Sequence, residues 1–379
     1  MISYPITDSH LPFADYIKRC HALIEARRKD LHQSGTLPQR IIDANTPFAY
    51  DPPNAPKNGK KYQYGALLIH GLFDSPFSLK DVGAYLDSKG IISRAILLPG
   101  HGTVPNDLLH VSYHDWIQAV RYGVESLREV AKNVYLVGYS TGAALSIYHA
   151  MQDTEIAGII MLSPAIRLKT MVGFVVSSHY LMKWVSGQTD WIYQGSEIDY
   201  AKYKSIPFKP VHELGKLTDV INELNEYHPL TCPVFVIVSW EDETISSQKA
   251  IHYFCKTTNP LSQMLLYSSI DQHHSDPRIL TRKARFPELN IEHLSHVGLP
   301  FTPHNTHYGQ HGDYMRASHI HASDTQYGAY NRLQEEIYYV LHQLSLMKNK
   351  RLDLTYNPDF DYMAEKITDF MFNTSLRDK

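Results

Sequence analysis

Residues Gly138-Tyr139-Ser140-Thr141-Gly142 form the pattern G-x-S-x-G, in which a serine stands between two glycines. The pattern alone is a modest signal, because about one chain in ten of this length would contain it by chance. Its position makes it specific, since it directly follows the apolar run 134–137 and begins an apolar helical segment. A tight strand-to-helix turn needs small flanking residues and exposes the serine hydroxyl. The context predicts that Ser140 is a nucleophile for acyl transfer, rather than part of an ordinary glycine-rich turn.

Acyl transfer also needs hydrogen-bond donors for the negatively charged oxygen of its transition state. His70-Gly71-Leu72 lies at the end of an earlier apolar run, residues 66–69. We expect the backbone N–H groups of Leu72 and Thr141 to be these donors, with Phe73 as the alternative to Leu72. The histidine needs no chemical role of its own in this arrangement, because the donors are backbone groups.

Three carboxylates follow the apolar run 234–238. Catalytic groups gather at the carboxyl ends of strands in open α/β sheets. We therefore predict that Asp242 is the acid that orients a catalytic histidine. Glu241 and Glu243 are the alternatives, and if Asp242 is the acid, they belong to a solvated acidic turn.

The base must be a histidine beyond the acid, and the chain offers many of them. Those that qualify by order are His273, His274, His293, His296, His304, His307 and His311. We select His296, because it follows the short apolar segment 291–294 in a loop, and we keep His293 as an alternative. The order Ser140, Asp242, His296 is the one expected when the serine stands on such a turn.

The histidines at 304, 307 and 311 also suggest a metal site. We disfavour it, because Pro303, Gly309 and Gly312 oppose a helix there and no H-E-x-x-H pattern is present. The sequence leads us to expect neither a metal nor another cofactor.

Short apolar runs alternate with helical segments from residue 62 onward. The runs are 66–69, 91–98, 134–137, 156–162, 234–238 and 264–267, and the helical segments between them are 79–89, 113–130, 141–151 and 248–255. Runs of this kind are typical of parallel strands that are covered on both faces. The pattern predicts a doubly wound, mostly parallel α/β sheet.

The alternation stops in several stretches, and these define a predicted domain organisation. The N-terminal helical extension and linker is 1–61, the core is 62–164 and 228–348, the insertion is 165–227, and the helical tail is 349–379. An insertion of this length is typical of a small helical cap rather than a bare loop. Segment 13–31 reads as an amphipathic helix with a basic face, for which we favour packing on the body over association with a membrane surface.

Composition excludes several classes of protein. The net charge of −3 and pI near 6.7 do not indicate a nucleic-acid-binding surface. Three widely spaced cysteines argue against a disulfide framework and favour a reducing compartment. The chain begins without a basic, then apolar, leader and has no apolar stretch of membrane-spanning length, so we expect a cytoplasmic protein. The sequence does not predict the oligomeric state.

Taken together, the motifs resemble the bacterial carboxylesterase and monoacylglycerol lipase group of the α/β-hydrolase superfamily, also described as serine aminopeptidase-like. The residues that carry the resemblance are 70–72, 97–102, 115–116, 138–142 and 240–245. The resemblance implies a Ser-Asp-His triad, no cofactor, and a short cap over an acyl pocket.

The expected substrate is a small-molecule carboxylic ester, either with a short to medium acyl chain or like a monoacylglycerol. We expect Phe73, Tyr139 and Trp184 to contact it. Two alternatives stay open: an amide or peptide hydrolase with the same triad, and a catalytically silent protein that uses this fold for binding.

Overall fold

The apolar runs of the sequence are strands of one sheet in a computed structural model of the 379-residue chain. The structure describes residues 11–28, 38–53, 56, 59–166, 190–195, 197, 199–289, 291–312, 314 and 354–375. The strands are β1 Phe48–Tyr50, β2 Tyr62–Ile69, β3 Ile92–Ile96, β4 Ala131–Tyr139, β5 Ile156–Leu162, β6 Trp191–Tyr193, β7 Ile206–Pro207, β8 Val234–Ser239, β9 Gln263–Ser268 and β10 Ile279–Lys283. The α-helices are α1 Phe13–Arg27, α2 Pro38–Asn45, α3 Lys80–Ser88, α4 Tyr113–Arg128, α5 Thr141–Gln152, α6 Phe208–Tyr227, α7 Ser247–Cys255 and α8 Phe360–Ser375.

The order of the main sheet, within the described residues, is β1-β3-β2-β4-β5-β8-β9-β10. Every neighbouring pair is parallel except β1 with β3. The prediction of a doubly wound, mostly parallel sheet is therefore confirmed. The chain runs outward from β2 to β3 and then returns to β4 on the other side of β2, so a crevice opens where β2 and β4 end.

Both faces of the sheet are buried, which explains why its central strands read as continuous apolar runs. Successive side chains of a strand point to opposite faces. Leu67 and Leu136 thus belong to one core cluster, which includes residues of α4 and α5, whereas Leu68 and Val137 belong to a second, which includes residues of α3 and α8. Burying one such side chain contributes about 1.5–3 kcal/mol, so these two layers hold the strand ends in place.

The N-terminal helix packs on the body through its apolar face. Tyr16, Cys20 and Ile24 of α1 are buried in the first core cluster. The Tyr16 hydroxyl donates to the Leu97 carbonyl at 3.2 Å and accepts from the Leu97 N–H at 3.0 Å. None of the described helices combines the length and the apolar character that a membrane span requires.

Two strands of the sheet and part of the insertion differ from the sequence pattern. The edge strands β1 and β10 were not predicted, and β10 lies in the polar stretch that follows β9. The described part of the insertion holds the antiparallel pair β6 and β7, followed by α6. Trp184, which belongs to the insertion, lies outside the described residues. The proposed domain boundaries stay predictions.

Candidate active site

Ser140 lies at the junction of β4 and α5, where the backbone turns sharply. Its φ is +53° and its ψ is −110°, a conformation that residues other than glycine rarely adopt. Its N–H donates to the Leu162 carbonyl of the neighbouring strand at 2.9 Å, and its carbonyl accepts from the Ala143 N–H at 3.1 Å. The strained turn is thus fixed from both sides.

The two glycines of the motif are required because backbone segments meet across the turn. A Cβ at residue 142 would lie 1.9 Å from the Ile69 carbonyl oxygen, and one at residue 138 would lie 2.4 Å from the backbone of Gly142. Real Cβ atoms do not approach backbone atoms so closely, so any side chain here must displace the turn.

We expect Gly142→Ala to destabilise the fold by about 3 kcal/mol and to remove activity, because the new methyl group overlaps the end of β2. Thermal unfolding and labelling of Ser140 by a fluorophosphonate would measure the two effects. Gly215→Ala on α6 is the matched control, since a Cβ there meets nothing within 4 Å. A Gly142→Ala protein with the wild-type Tm and labelling rate would contradict this reading of the turn.

Ser140, His296 and Asp242 are joined by hydrogen bonds. Ser140 Oγ lies 3.1 Å from His296 Nε2, and His296 Nδ1 lies 2.8 Å from Asp242 Oδ2. Asp242 Oδ1 accepts the N–H groups of Thr244 at 2.9 Å and Ile245 at 2.8 Å, so the loop after β8 fixes the carboxylate. The structure thus brings together the three residues selected from the sequence, in the geometry that proton transfer from a serine requires.

The histidine and the aspartate shift each other's pKa. Burial acts to lower the pKa of His296, but the negative charge of Asp242 and its hydrogen bond outweigh burial, and the pKa is raised above its ordinary value. Burial likewise acts to raise the pKa of Asp242, but the charge and hydrogen bond of His296 leave it lowered. Asp242 is therefore ionised when His296 accepts a proton, and the imidazolium form is stabilised.

Glu243 holds the main chain of the histidine. Its carboxylate oxygens lie 3.0 and 3.2 Å from the His296 N–H, and its charge adds to the rise in the pKa of His296. Glu241, the other alternative acid, instead accepts from the N–H and hydroxyl of Ser269 at 2.9 and 2.6 Å. The sequence did not predict a supporting role for Glu243, because a backbone acceptor leaves no pattern.

We expect Glu243→Gln to shift the acidic limb of the pH–rate profile to lower pH, because a negative charge that raises the pKa of His296 is removed. The plateau kcat should change by about fivefold at most, since exposed charge interactions contribute up to about 1 kcal/mol and a glutamine can still accept the N–H. Glu241→Gln is the control and should leave the limb unchanged. A limb that moves to higher pH in Glu243→Gln would show that this account is wrong.

The loop after β2 passes close to Ser140. A Cβ at Gly71 would lie 3.3 Å from the Cβ of Ser140, and Phe73 has a φ of +64°, which is rare for a residue with a side chain. Within the described residues we find no backbone acceptor for the N–H of Leu72 or of Thr141. These two groups are the donors that the sequence analysis selected.

His70 fastens this loop to the next strand. Its Nε2 accepts the Leu98 N–H at 3.0 Å, so its proton must be on Nδ1, which lies 2.8 Å from the Gly71 carbonyl oxygen. Burial lowers the pKa of His70 well below its ordinary value, with a smaller contribution from His101. The ring is therefore neutral, and it ties the loop after β2 to the end of β3.

The residues predicted to contact substrate have different surroundings. Tyr139 is buried, its hydroxyl donates to the His296 carbonyl at 3.2 Å, and the two ring centroids are 5.4 Å apart. Tyr139 thus supports both the main chain and the ring of His296. Phe73 is half-buried and packs with Leu72 against Phe208 and Val211 of α6. Trp184 lies outside the described residues.

His307, one of the other histidines that qualify by order, lies in a separate buried cluster. His307 Nε2 lies 3.1 Å from Asp199 Oδ1, and the Tyr308 hydroxyl donates to Asp199 Oδ2 at 2.6 Å, which makes a buried cluster between the insertion and the segment after His296. The turn 99–102 is buried, and His101 stacks on Tyr203. Among the described residues, no group of three or more His, Cys, Asp or Glu side chains has the arrangement of a metal site.

Comparison with known proteins identifies the family. The sequence profile of the family described as "Serine aminopeptidase, S33" matches residues 65–270, which is more than half of the chain. The chain belongs to this family. The resemblance inferred from the motifs is thus confirmed, and the chain is a serine hydrolase with an α/β-hydrolase fold.

Individual relatives are distant. A thermostable monoacylglycerol lipase from Bacillus sp. (strain H-257) is 23% identical over 181 residues, which cover 48% of this chain and 71% of that protein. A carboxylesterase from Bacillus subtilis (strain 168) is 26% identical over 199 residues, which cover 51% of this chain and 77% of that protein. Among solved structures, a soluble variant of monoglyceride lipase from Saccharomyces cerevisiae is 16% identical, with a TM-score of 0.48, and the match covers 59% of this chain and 82% of that one.

Proposed function

We propose that this serine hydrolase cleaves carboxylic esters with a short to medium acyl chain, or esters like monoacylglycerols, through an acyl-enzyme on Ser140. The observation that carries the proposal is the hydrogen-bonded chain from Ser140 Oγ through both nitrogens of His296 to Asp242. A nucleophile, a base and an orienting acid in this geometry form the catalytic unit for acyl transfer.

The first half of the reaction forms the acyl-enzyme. Ser140 Oγ attacks the ester carbonyl carbon while its proton passes to His296 Nε2. The carbonyl oxygen becomes an oxyanion, which accepts hydrogen bonds from the N–H groups of Leu72 and Thr141. When the carbonyl re-forms, the bond to the leaving alkoxide breaks and Nε2–H donates its proton to the alkoxide, so an alcohol departs.

The second half reverses these roles with water. His296 takes a proton from a water molecule whose oxygen attacks the acyl carbon, and the same two N–H groups hold the second oxyanion. The bond to Ser140 Oγ then breaks and the serine regains its proton from Nε2, which releases a carboxylic acid. Asp242 stays ionised and stabilises the imidazolium in both halves.

An apolar surface beside the oxyanion loop supports an acyl substrate. Phe208 and Val211 of the insertion are buried, and four partly buried apolar side chains pack against them: Leu72, Phe73, Ile192 and Ile206. A surface of this kind favours a hydrocarbon chain over a charged group. The names of the two Bacillus relatives point to the same class of substrate.

The test is a panel of p-nitrophenyl esters of increasing acyl length, together with a monoacylglycerol and aminoacyl p-nitroanilides. We expect the esters to give the highest kcat/KM. The family description favours a second candidate, hydrolysis of amides or peptides, and a preference for the anilides would select it. Failure of a fluorophosphonate to label Ser140 would contradict both and leave a binding protein.

A further inference from the structure

A buried lysine–aspartate ion pair lies beside the loop that carries Leu72, and the mechanism above does not use it. Lys202 Nζ lies 3.2 Å from Asp74 Oδ2, and the two side chains are 14% and 1% exposed. Asp74 stands two residues after Leu72, whereas Lys202 belongs to the insertion. A buried ion pair costs much desolvation free energy and is weak evidence for a stabilising role, so its position calls for a functional explanation.

The ammonium group of Lys202 contacts the other parts of the site as well. Its Nζ lies 5.6 Å from the ring centroid of Tyr139, 6.0 Å from that of Phe301 and 5.9 Å from that of Tyr308. Tyr139 directly precedes the nucleophile, and the other two rings belong to the segment that follows His296. The cation is thus enclosed by aromatic rings as well as by one carboxylate, which is a favourable environment for a buried charge.

The residue after Lys202 holds the loop through its backbone. The Tyr203 N–H donates to the Phe73 carbonyl at 2.7 Å, and the Tyr203 hydroxyl accepts the Thr103 N–H at 2.7 Å. Phe73 has the strained φ of +64°, and such strain persists only where the surroundings enforce it. Lys202 therefore binds Asp74, and Tyr203 binds the backbone of Phe73. Both contacts lie within two residues of Leu72, the proposed oxyanion donor.

Asp74 itself opposes the chemistry of an oxyanion hole. A carboxylate two residues from the donor repels the negative oxygen that forms there, and low exposure strengthens the repulsion. Burial raises the pKa of Asp74, whereas the charge of Lys202 and the hydrogen bond from the Ser75 N–H act to lower it. Burial has the larger effect, and the resulting pKa is about 6. Asp74 is therefore ionised at alkaline pH, where the base of the triad is also in its active form.

We propose that Lys202 is a positioning residue, which neutralises Asp74 and thereby holds the Leu72 N–H toward an oxyanion. The inference rests on the proposed function, because the loop matters to the rate only if an oxyanion forms. It assigns the insertion a role in the reaction, since one of its side chains completes the electrostatics of the site.

The test compares Lys202→Met, Asp74→Asn and the double variant at alkaline pH. We expect Lys202→Met to lower kcat by about 100-fold with KM within about twofold, because oxyanion stabilisation acts on the transition state. The loss should shrink as the pH falls and Asp74 takes up a proton. Asp74→Asn should restore kcat in the Lys202→Met background, since no carboxylate then needs neutralising.

Matched controls separate this effect from folding and from other titrations. Lys209→Met removes a lysine that pairs with Glu213 on α6 and should leave kcat unchanged. The other titratable groups near the pair or its rings are Tyr139, Tyr308, Asp199, His70 and His296. The charge of Lys202 acts to lower the pKa of His296 and of His70, so its removal shifts the acidic limb of the pH–rate profile by itself. The ratio of the rates of Asp74→Asn and the double variant at each pH measures this shift, because neither protein carries the Asp74 charge, and the loss in Lys202→Met is corrected by that ratio. Thermal unfolding verifies that each protein is folded under the assay conditions.

Three results would overturn the inference: a kcat in Lys202→Met within about threefold of wild type, a double variant as slow as Lys202→Met, or a loss that does not depend on pH. If Lys202→Met does not fold, the fluorophosphonate labelling rates of the double variant and of Asp74→Asn decide, because the inference requires them to be equal. Labelling needs no ester. If the wild-type protein is labelled but cleaves no ester, the proposed function is contradicted. The inference about Lys202 is then tested by comparing the labelling rates of the same variants.

Discussion

Ser140→Ala should lower kcat for ester hydrolysis by about 10⁶-fold and abolish labelling by a fluorophosphonate. The reason is that Oγ is the atom that bonds to the acyl carbon, and it lies 3.1 Å from the Nε2 that takes its proton. The Leu72 and Thr141 N–H groups stay in place, so a small residual rate above that in water should persist. Initial rates with a p-nitrophenyl ester and mass spectrometry of the labelled protein would measure both effects.

Two further serine variants show that such a loss is chemical rather than structural. Ser163 also has a positive φ, of +43°, and is buried after β5, so Ser163→Ala changes a serine of similar conformation that lacks the histidine contact. It should keep most of the activity. Ser140→Gly should unfold at a higher temperature than Ser140→Ala, because glycine adopts a φ of +53° without strain. A Ser140→Ala protein that retains a tenth of the wild-type rate would exclude Ser140 as the nucleophile.

The central strands were predictable because their signal is local. β4, β5 and β8 are covered on both faces, so nearly every side chain must be apolar and the run can be read directly. β10 lacks this signal, since its residues are half-buried or exposed and, among the strands that the structure describes, it pairs with β9 alone. It is a strand because the edge of β9 offers backbone partners, which is a property of the assembled sheet and not of the segment.

The residues of the site also divide into those with a local signal in the sequence and those without one. Ser140 could be selected because a strand, a tight turn and a helix must adjoin it in sequence. His296 could be ranked among many histidines only by order and by its loop, and its contact with Asp242 depends on where the chain returns after β10. Lys202 and Asp74 were not predicted, since they are 128 positions apart and only the docking of the insertion brings them together. Some supporting residues act through backbone atoms or through one another. They have no fixed spacing in the sequence, so a motif cannot predict them.

Asp242→Asn should lower kcat by about 10⁴-fold while leaving the fold intact. An asparagine Oδ1 can still accept the Thr244 and Ile245 N–H groups, so the loop after β8 keeps its conformation. Its Nδ2 then donates toward His296 Nδ1 and forces the imidazole proton onto Nε2. That nitrogen faces Ser140 Oγ as a donor and cannot accept the serine proton, so the nucleophile stays inactive.

The pH dependence of the same variant distinguishes this explanation from a simple loss of packing. In the wild-type protein the rate should fall as the pH drops through the raised pKa of His296, because the protonated imidazole cannot act as a base. Removing the charge of Asp242 removes the main interaction that raises this pKa, so the acidic limb of the residual rate should move to lower pH. Glu241→Gln keeps the pair and should keep both the rate and the limb. Asp242→Asn could instead retain a tenth of the wild-type kcat, with its acidic limb at the same pH. Asp242 would then set neither the tautomer nor the pKa of His296, and a different residue would have to be the acid of the triad.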